Sequence, residues 1–249
     1  MVNKKLNQRI FRDVRRANLK YKMVEDGDRI AVGLSGGKDS TALLYFLCML
    51  QKYTPLNFTL LPVYLDLGLG ADIEGMQEVC QSLGLPLLIE KTNIATVVFD
   101  IRQEKNPCSL CSNLRRGALN RVSKDDGCNK VALGHHADDA VDTLFMSLIF
   151  EGRYHLFKPV TYLDRMDITV IRPLIYVAEQ DIKNFITAID FKVAKNPCPA
   201  DGYTMRDEIK TIIADIDARY PGARRRILTS IENADSDSFW QTIPDQLQE

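Results

Sequence analysis

The 249-residue sequence lacks the features that mark membrane and secreted proteins. Its longest apolar stretches, residues 41–50 and 143–150, are too short and too interrupted to cross a bilayer. The basic N-terminus is followed by no apolar signal-peptide core, and the chain contains no internal repeat or low-complexity tract. We therefore expect a cytoplasmic protein that does not associate with membranes.

A strong net charge is lacking too, since the formal value is −1 at pH 7, which argues against indiscriminate nucleic-acid binding. The charge is unevenly spread, because residues 1–22 hold eight Lys or Arg against the single acid Asp13. Apolar residues recur at helical spacing in the same segment, at Leu6, Ile10, Val14 and Ala17. We expect an amphipathic helix whose basic face is either ordinary solvated surface or a local nucleic-acid-binding arm.

A disulfide framework is not expected from six cysteines in a reducing compartment. One group offers no ligand spacing and is expected to be structural: Cys48, Cys80 and Cys128. The other group lies beside prolines and forms the candidate site: Cys108, Cys111 and Cys198.

Apolar segments of strand and helix type alternate through the first two thirds of the chain. The strands are predicted at residues 30–34, 59–65, 86–89, 130–134 and 169–171, and the helices at 41–52, 73–83, 111–123 and 137–150. This alternation predicts an α/β fold with a doubly wound, mainly parallel sheet. The predicted segments are a basic helical arm at 1–27, a nucleotide-binding α/β domain at 28–178 and a C-terminal helical region at 179–249 that contributes Cys198.

A glycine-rich loop joins the first predicted strand to the first following helix. Its six residues are Ser35, Gly36, Gly37, Lys38, Asp39 and Ser40. Adjacent glycines let backbone N–H groups approach an anion, and the helix N-terminus adds partial positive charge. The spacing matches neither a Walker A loop nor a dinucleotide fingerprint. The pattern favours a phosphate site, whereas the alternative is a flexible turn with Asp39 as an N-terminal helix acid.

A second polar loop follows the fourth predicted strand, and its residues are Gly134, His135, His136, Ala137, Asp138 and Asp139. The carboxyl ends of parallel strands share one edge of a sheet, so this loop is expected to face the glycine-rich loop. An acid here can hold Mg²⁺ or relay a proton. The alternative is that Asp138 or Asp139 caps the next helix.

Two of the candidate cysteines, Cys108 and Cys111, are one turn apart at a predicted helix start, where the dipole is expected to lower their thiol pKa. The pair alone fits a redox dithiol, half of a zinc site or iron–sulfur ligands. Cys198 would join it if the C-terminal region returns to the sheet edge. Three thiolates leave one position open on a [4Fe-4S] cluster, but zinc with a histidine and a redox dithiol remain alternatives.

Five motifs stand in the order found in the TtcA/TtuA family of PP-loop tRNA thiolases. They are residues 35–40, 108–117, 134–139, 171–174 and 197–198. The chain resembles this family over residues 6–222, and the 2-thiocytidine (TtcA) branch is the better match, because the zinc-binding cysteine modules of the TtuA branch are missing. Many TtcA sequences also have a second cysteine three residues after the position of Cys198, where this chain has Asp201.

The resemblance implies a [4Fe-4S] cluster on Cys108, Cys111 and Cys198, together with ATP and Mg²⁺. ATP would adenylate the C2 oxygen of an anticodon-loop cytidine, sulfur from the cluster would replace it, and AMP and pyrophosphate would leave. Arg115 and Asp139 fall at the family's catalytic positions, and Asp39 is the third candidate catalytic residue. The residues expected to bind ATP are Ser35, Gly36, Gly37, Lys38, Asp39, Ser40, Gly134, His135, Asp138 and Asp139.

The implied partners are tRNA, a sulfur donor such as a cysteine desulfurase or free sulfide, and a second copy in a homodimer. Candidate tRNA phosphate contacts are Arg12, Arg15, Arg16, Arg116, Arg224, Arg225 and Arg226. Another adenylating enzyme, an amine ligase with a zinc site, is the alternative activity. A non-catalytic nucleotide-binding iron–sulfur protein is the alternative that involves no reaction.

Overall fold

The computed structural model describes residues 4–103, 107–194, 197–200 and 204–235. Its helices are α1 Lys4–Tyr21, α2 Lys38–Tyr53, α3 Glu74–Ser82, α4 Pro107–Asp125, α5 Ala137–Met146, α6 Glu179–Ala188, α7 Met205–Arg219 and α8 Ala223–Glu232. Its strands are β1 Arg29–Leu34, β2 Thr59–Asp66, β3 Leu88–Lys91, β4 Lys130–Ala132, β5 Val160–Leu163 and β6 Ile168–Ile171. Thr96–Arg102 and Ser147–Glu151 form π-helical turns.

The strands form one sheet in the order β3-β2-β1-β4-β6-β5. Every neighbouring pair is parallel except β5 and β6, which form an antiparallel pair at the edge. The predicted doubly wound, mainly parallel sheet is therefore confirmed. The strand order reverses between β1 and β4, so a crevice opens beyond the carboxyl ends of these two strands, where ligands of such folds bind.

The amino ends of β1 and β4 are tied together by a buried ion pair. Lys130 Nζ lies 2.8 Å from Asp28 Oδ2, and the two side chains are only 8% and 5% exposed. Asn129 adds a hydrogen bond from its amide to Asp28 Oδ1 at 2.7 Å. Removing one partner of such a pair leaves an uncompensated buried charge, so this contact fixes the two strands side by side.

Helices α1 and α6, which lie outside the predicted α/β domain at 28–178, pack against helix α2. The apolar stripe of α1 is buried as the helical spacing predicted, at Leu6, Ile10, Val14 and Ala17. Arg9 of α1 pairs with Asp181 of α6. The rings of Phe46 in α2 and Phe185 in α6 contact each other in the core in a tilted arrangement, with centroids 4.9 Å apart.

The chain divides into two compact units, and the division differs from the three predicted segments. Unit 1 contains residues 1–139 and 157–203, because α1 and α6 pack against α2. Unit 2 contains residues 140–156 and 204–249. The core of unit 2 is formed by Val141, Ile209 and Ile213, which α8 covers with Ile227 and Leu228.

The differences from the predicted segments include one helix start and two elements that were missed. Helix α4 begins at Pro107, earlier than the predicted 111. Strand β5 was missed because its residues are only half buried and show no alternation. Helix α8 was missed because its sequence opens with three arginines after a turn. The tail beyond 235 and Asp201 lie outside the described residues. No helix in the described part of the chain is long and apolar enough to cross a membrane.

Candidate nucleotide and cysteine site

The loop after β1 folds into a tight turn that two serines hold. The backbone N–H of Ser35 donates to Ser40 Oγ at 3.2 Å, and Ser40 Oγ donates to the carbonyl of Gly37 at 3.1 Å. Gly36 has a φ of +77°, a conformation that favours glycine. Helix α2 then begins at Lys38, and its cap Gly37 makes no side-chain hydrogen bond. The first-turn N–H groups of α2 are therefore suited to an anion.

The loop after β4 contacts the start of α2 directly, as the sequence predicted. A Cβ built on Gly134 would lie 3.0 Å from the carbonyl carbon of Asp39 and 3.1 Å from the amide nitrogen of Ser40. Real Cβ atoms seldom come this close to backbone atoms. Glycine at 134 thus permits the two loops to touch.

His136 and Asp139 form a reciprocal cap at the start of α5. The backbone N–H of His136 donates to Asp139 Oδ2 at 3.1 Å, and the backbone N–H of Asp139 donates to His136 Nδ1 at 3.3 Å. Because Nδ1 is an acceptor, the neutral ring carries its proton on Nε2. That nitrogen lies 3.5 Å from Asp139 Oδ2 and 3.7 Å from Asp39 Oδ1. The cap foreseen as the alternative for Asp139 is present, and it orients the imidazole.

His136 was absent from the predicted site residues, although it is the buried centre of this loop, 1% exposed. The sequence marks this loop but does not show which of its two adjacent histidines is buried, because burial is a tertiary property. His135 instead lies with its ring centroid 4.8 Å from that of Phe157. Asp138 accepts a hydrogen bond from the backbone N–H of Glu179 at 2.7 Å, so its carboxylate caps α6.

The two charged residues of the glycine-rich loop are paired with each other. Lys38 Nζ lies 2.9 Å from Asp39 Oδ2 and 3.0 Å from Glu179 Oε1. Burial alone would lower the pKa of Lys38, but the hydrogen bonds and charges of Asp39 and Glu179 outweigh it and raise the pKa above its ordinary value. Asp39 Oδ1 is buried and has no hydrogen-bond partner in the described structure.

Residues 191–194 carry the chain across the glycine-rich loop toward Cys198. The backbone N–H of Ala194 donates to the carbonyl of Gly36 at 3.1 Å. A Cβ on Gly36 would lie 2.8 Å from the Ala194 Cβ, and one on Gly75 would lie 3.2 Å from the carbonyl oxygen of Lys192. The segment therefore lies between the loop and the start of α3.

Cys111 lies within electrostatic reach of both other candidate cysteines. Cys108 is exposed, Cys111 and Cys198 are half-buried, and none of the three forms a disulfide within the described residues. Burial raises the pKa of Cys111, the positive charge of Arg115 lowers it, and the charges of Cys198 and Cys108 raise it further. We expected the helix dipole to lower the pKa of Cys111. That prediction was wrong, because the pKa is raised and burial is the largest cause.

The donor set suits a soft metal centre. Three thiols with a neighbouring arginine are the ligand chemistry of iron–sulfur clusters, which tolerate an iron without a protein ligand. Within the described residues, no three or more His, Cys, Asp or Glu side chains are already arranged around a metal position. The remaining thiols behave as structural residues, since burial raises the pKa of Cys48 and Cys80 to about 11.

The arginines predicted to contact tRNA have different surroundings. Arg12, Arg15, Arg116, Arg225 and Arg226 are exposed. Arg16 is exposed as well, and its guanidinium lies 4.2 Å above the ring of Tyr176. Arg224 is less available, because its Nη1 lies 3.3 Å from the fully buried Asp142 within unit 2.

A model of the PP-loop domain family matches residues 6–215. Curated proteins from Dechloromonas aromatica and Vibrio vulnificus, both named tRNA-cytidine(32) 2-sulfurtransferase, are 39% and 38% identical to the chain. The first alignment covers 90% of this chain and 81% of the relative, and the second covers 92% and 75%. The chain belongs to the PP-loop family, in its tRNA-cytidine 2-sulfurtransferase branch.

This PP-loop protein is also similar to the solved structure of a thiolase that carries a cluster. The U34-tRNA thiolase NcsA from Methanococcus maripaludis with its [4Fe-4S] cluster matches with a TM-score of 0.76 and 27% identity. The match covers 92% of this chain and 78% of the other.

Gly134→Ala tests the contact between the two loops of this PP-loop protein. The added methyl would displace the Asp39–Ser40 peptide, so ATP turnover should fall by about a hundredfold while the protein stays folded. Steady-state AMP release and circular dichroism measure the two effects. Gly117→Ala is the control, because Gly117 has no positive φ and its Cβ would meet nothing within 4 Å. Full turnover in Gly134→Ala would contradict the assigned contact.

Arg115→Gln tests the electrostatics of the thiols in metal-free protein. Loss of the positive charge removes the influence that lowers the Cys111 pKa, so less thiolate forms at pH 8 and alkylation of Cys111 slows, by up to about tenfold for one pKa unit. Peptide mass spectrometry after timed iodoacetamide treatment measures the rate. Arg121→Gln, on the same helix but paired with Glu90, should leave it unchanged. Equal rates for wild type and Arg115→Gln would refute the interaction.

Proposed function

We propose that this chain is an ATP-dependent tRNA sulfurtransferase that adenylates the C2 oxygen of an anticodon-loop cytidine and replaces that oxygen with sulfur. The observation that carries the proposal is the hydrogen bond from Ala194 to Gly36 of the PP-loop, because Ala194 comes four residues before Cys198, whose charge acts on Cys111. We call residues 191–194 the strap. The sulfurtransferases named above and the cluster-bearing thiolase support the same chemistry.

The phosphates of ATP bind at the loop after β1 and at the start of α2. Backbone N–H groups of residues 36–40 donate hydrogen bonds to the phosphate oxygens where no side chain caps the helix. Lys38 stays protonated because Asp39 and Glu179 raise its pKa, so it supplies positive charge to the departing pyrophosphate. The β–α phosphate bond breaks as the cytosine oxygen bonds to the α-phosphorus.

Mg²⁺ would be held by Asp39 and Asp139 with oxygens of the ATP phosphates. Asp39 Oδ1 fits this role, because it is buried without a hydrogen-bond partner in the described structure. Magnesium is commonly bound by one or two carboxylates with substrate phosphates, so no larger protein cage is required. His136 Nε2 lies 3.5 Å from Asp139 Oδ2 and 3.7 Å from Asp39 Oδ1, so the imidazole is next to both carboxylates.

Cys108, Cys111 and Cys198 would hold a [4Fe-4S] cluster. When bound, the cluster supplies an iron without a protein ligand, which is the place for incoming sulfur. Arg115 lies beside Cys111 and also acts on Tyr64, so its charge faces the region between the cysteines and the carboxyl end of β2. There it stabilises negative charge as sulfur replaces the adenylated oxygen and AMP leaves.

Three further parts of the proposal concern partners. The substrate is tRNA, the sulfur donor is a cysteine desulfurase or free sulfide, and the chain acts as a homodimer. The six exposed arginines and Arg224 remain the proposed phosphate contacts, with Arg224 the least exposed of them.

Cys198→Ala tests the third thiol. The variant should fold and bind ATP like wild type, because Cys198 lies outside the nucleotide loop, but 2-thiocytidine formation should fall below detection. Mass spectrometry of nucleosides from treated tRNA measures the product, and calorimetry measures ATP binding. Cys48→Ala, which removes a half-buried thiol that has no predicted ligand role, is the matched control and should retain thiolation. Undiminished thiolation by Cys198→Ala would refute this ligand assignment.

A further inference from the structure

Arg172 follows β6 at the carboxyl edge of the sheet, on the opposite side of β4 from the PP-loop strand. Its Nη1 donates to the carbonyl of Lys158 at 2.6 Å, and its Cζ lies 5.0 Å from the ring centroid of Phe157. Its Nε is buried and has no hydrogen-bond partner in the described structure. The side chain is thus held in place with part of its donor fork unused.

No carboxylate of the described residues pairs with this guanidinium, and the charge that acts on it is that of another arginine. Burial, followed by the positive charge of Arg116, lowers the pKa of Arg172 to about 10. The group is still charged at pH 7. A half-buried cation under the influence of a second positive charge costs stability unless an anion arrives.

Local structure does not account for an arginine at this position. Nη1 donates to the Lys158 carbonyl and, at 3.5 Å, to Thr161 Oγ1, but Nε has no partner, and an apolar side chain of similar length would pack on Phe157 without the cost of a half-buried charge. A partly buried charge without a counter-ion is a candidate for a functional site, where a ligand can supply the opposite charge.

We propose that Arg172 and Arg116 together form a phosphate subsite that holds a backbone phosphodiester of the tRNA next to the nucleotide being modified. The inference rests on the proposed function and names a positioning residue for it. Two guanidiniums can bracket one phosphate, because each presents a planar fork of donors.

An RNA phosphate fits the position better than a phosphate of ATP. The nucleotide loop and the N-terminus of α2 already provide the ATP phosphate site at β1, whereas Arg172 lies beyond β4. Arg116 is exposed on α4, the helix that carries Cys108 and Cys111. A phosphate held between the two arginines therefore places a nucleotide beside the cysteines.

The test compares Arg172→Met, Arg172→Lys, Arg116→Met and the Arg116→Met/Arg172→Met double variant with wild type. Arg165→Met is the matched control, because Arg165 is an exposed arginine in the turn before the same strand. Fluorescence anisotropy measures tRNA dissociation constants without ATP at several salt concentrations, calorimetry measures ATP dissociation constants, and thermal melts report stability. The formation of thiolated nucleoside in tRNA by the wild-type protein is measured in parallel.

Each Met variant should weaken tRNA binding by about tenfold. The slope of the logarithm of the tRNA binding constant against the logarithm of the salt concentration should become shallower by about 0.7 to 0.9, because one phosphate contact is lost. The double variant should lose less than the product of the two single effects, because both arginines serve one phosphate. Arg172→Lys should recover part of the affinity. ATP binding should be unchanged, and the melting temperature of Arg172→Met should be equal or higher.

Wild-type tRNA affinity in Arg172→Met and Arg116→Met would overturn the proposal, as would weakened ATP binding with intact tRNA binding. A lower melting temperature with unchanged tRNA affinity would show a structural role instead. If Arg172→Met does not fold, Arg172→Lys and the exposed Arg116→Met decide the question. A wild-type protein that binds tRNA but forms no thiolated nucleoside would refute the proposed function and leave the subsite standing.

Discussion

The site depends on one constraint, the parallel pairing of β1 with β4 where the strand order reverses. The buried Lys130–Asp28 pair fixes the amino ends of these strands, and the close approach of Gly134 to the Asp39–Ser40 peptide fixes their carboxyl ends. Between the two contacts the strands keep their register, so the loops that follow them must face each other. The phosphate site, the imidazole and the acidic residues all follow from this arrangement.

A second contact holds the segment that precedes the distant cysteine. The hydrogen bond from Ala194 to Gly36 keeps the strap beside the glycine-rich loop, and Gly36 and Gly75 leave room for it. In the proposed function the same loop binds ATP through its N–H groups and holds the strap through a carbonyl. The proposed reaction first adenylates the C2 oxygen and then delivers sulfur to the C2 carbon. It therefore requires the ATP site and the sulfur site to lie close together.

Local patterns in the sequence predicted the fold class and the position of the glycine-rich loop between β1 and α2, because both follow from short runs of neighbouring residues. The loop after β4 was found, but His136 was not chosen, since burial separates it from His135 and burial is a tertiary property. The pKa direction of Cys111 failed for the same reason. The half-buried edge strand Val160–Leu163 and the arginine-rich helix α8 carried too weak a periodicity. The roles assigned to Arg115, Asp39 and the three cysteines remain predictions.

The central claim is that three cysteines hold an iron–sulfur cluster beside an ATP site, and metal analysis tests it most directly. The protein should be purified and reconstituted without oxygen, and its iron, acid-labile sulfide and visible spectrum measured for wild type and Cys108→Ala. The account predicts about four iron and four sulfide per wild-type chain, lost in Cys108→Ala. Stoichiometric zinc without labile sulfide would contradict it and would favour an amine-ligating adenylase.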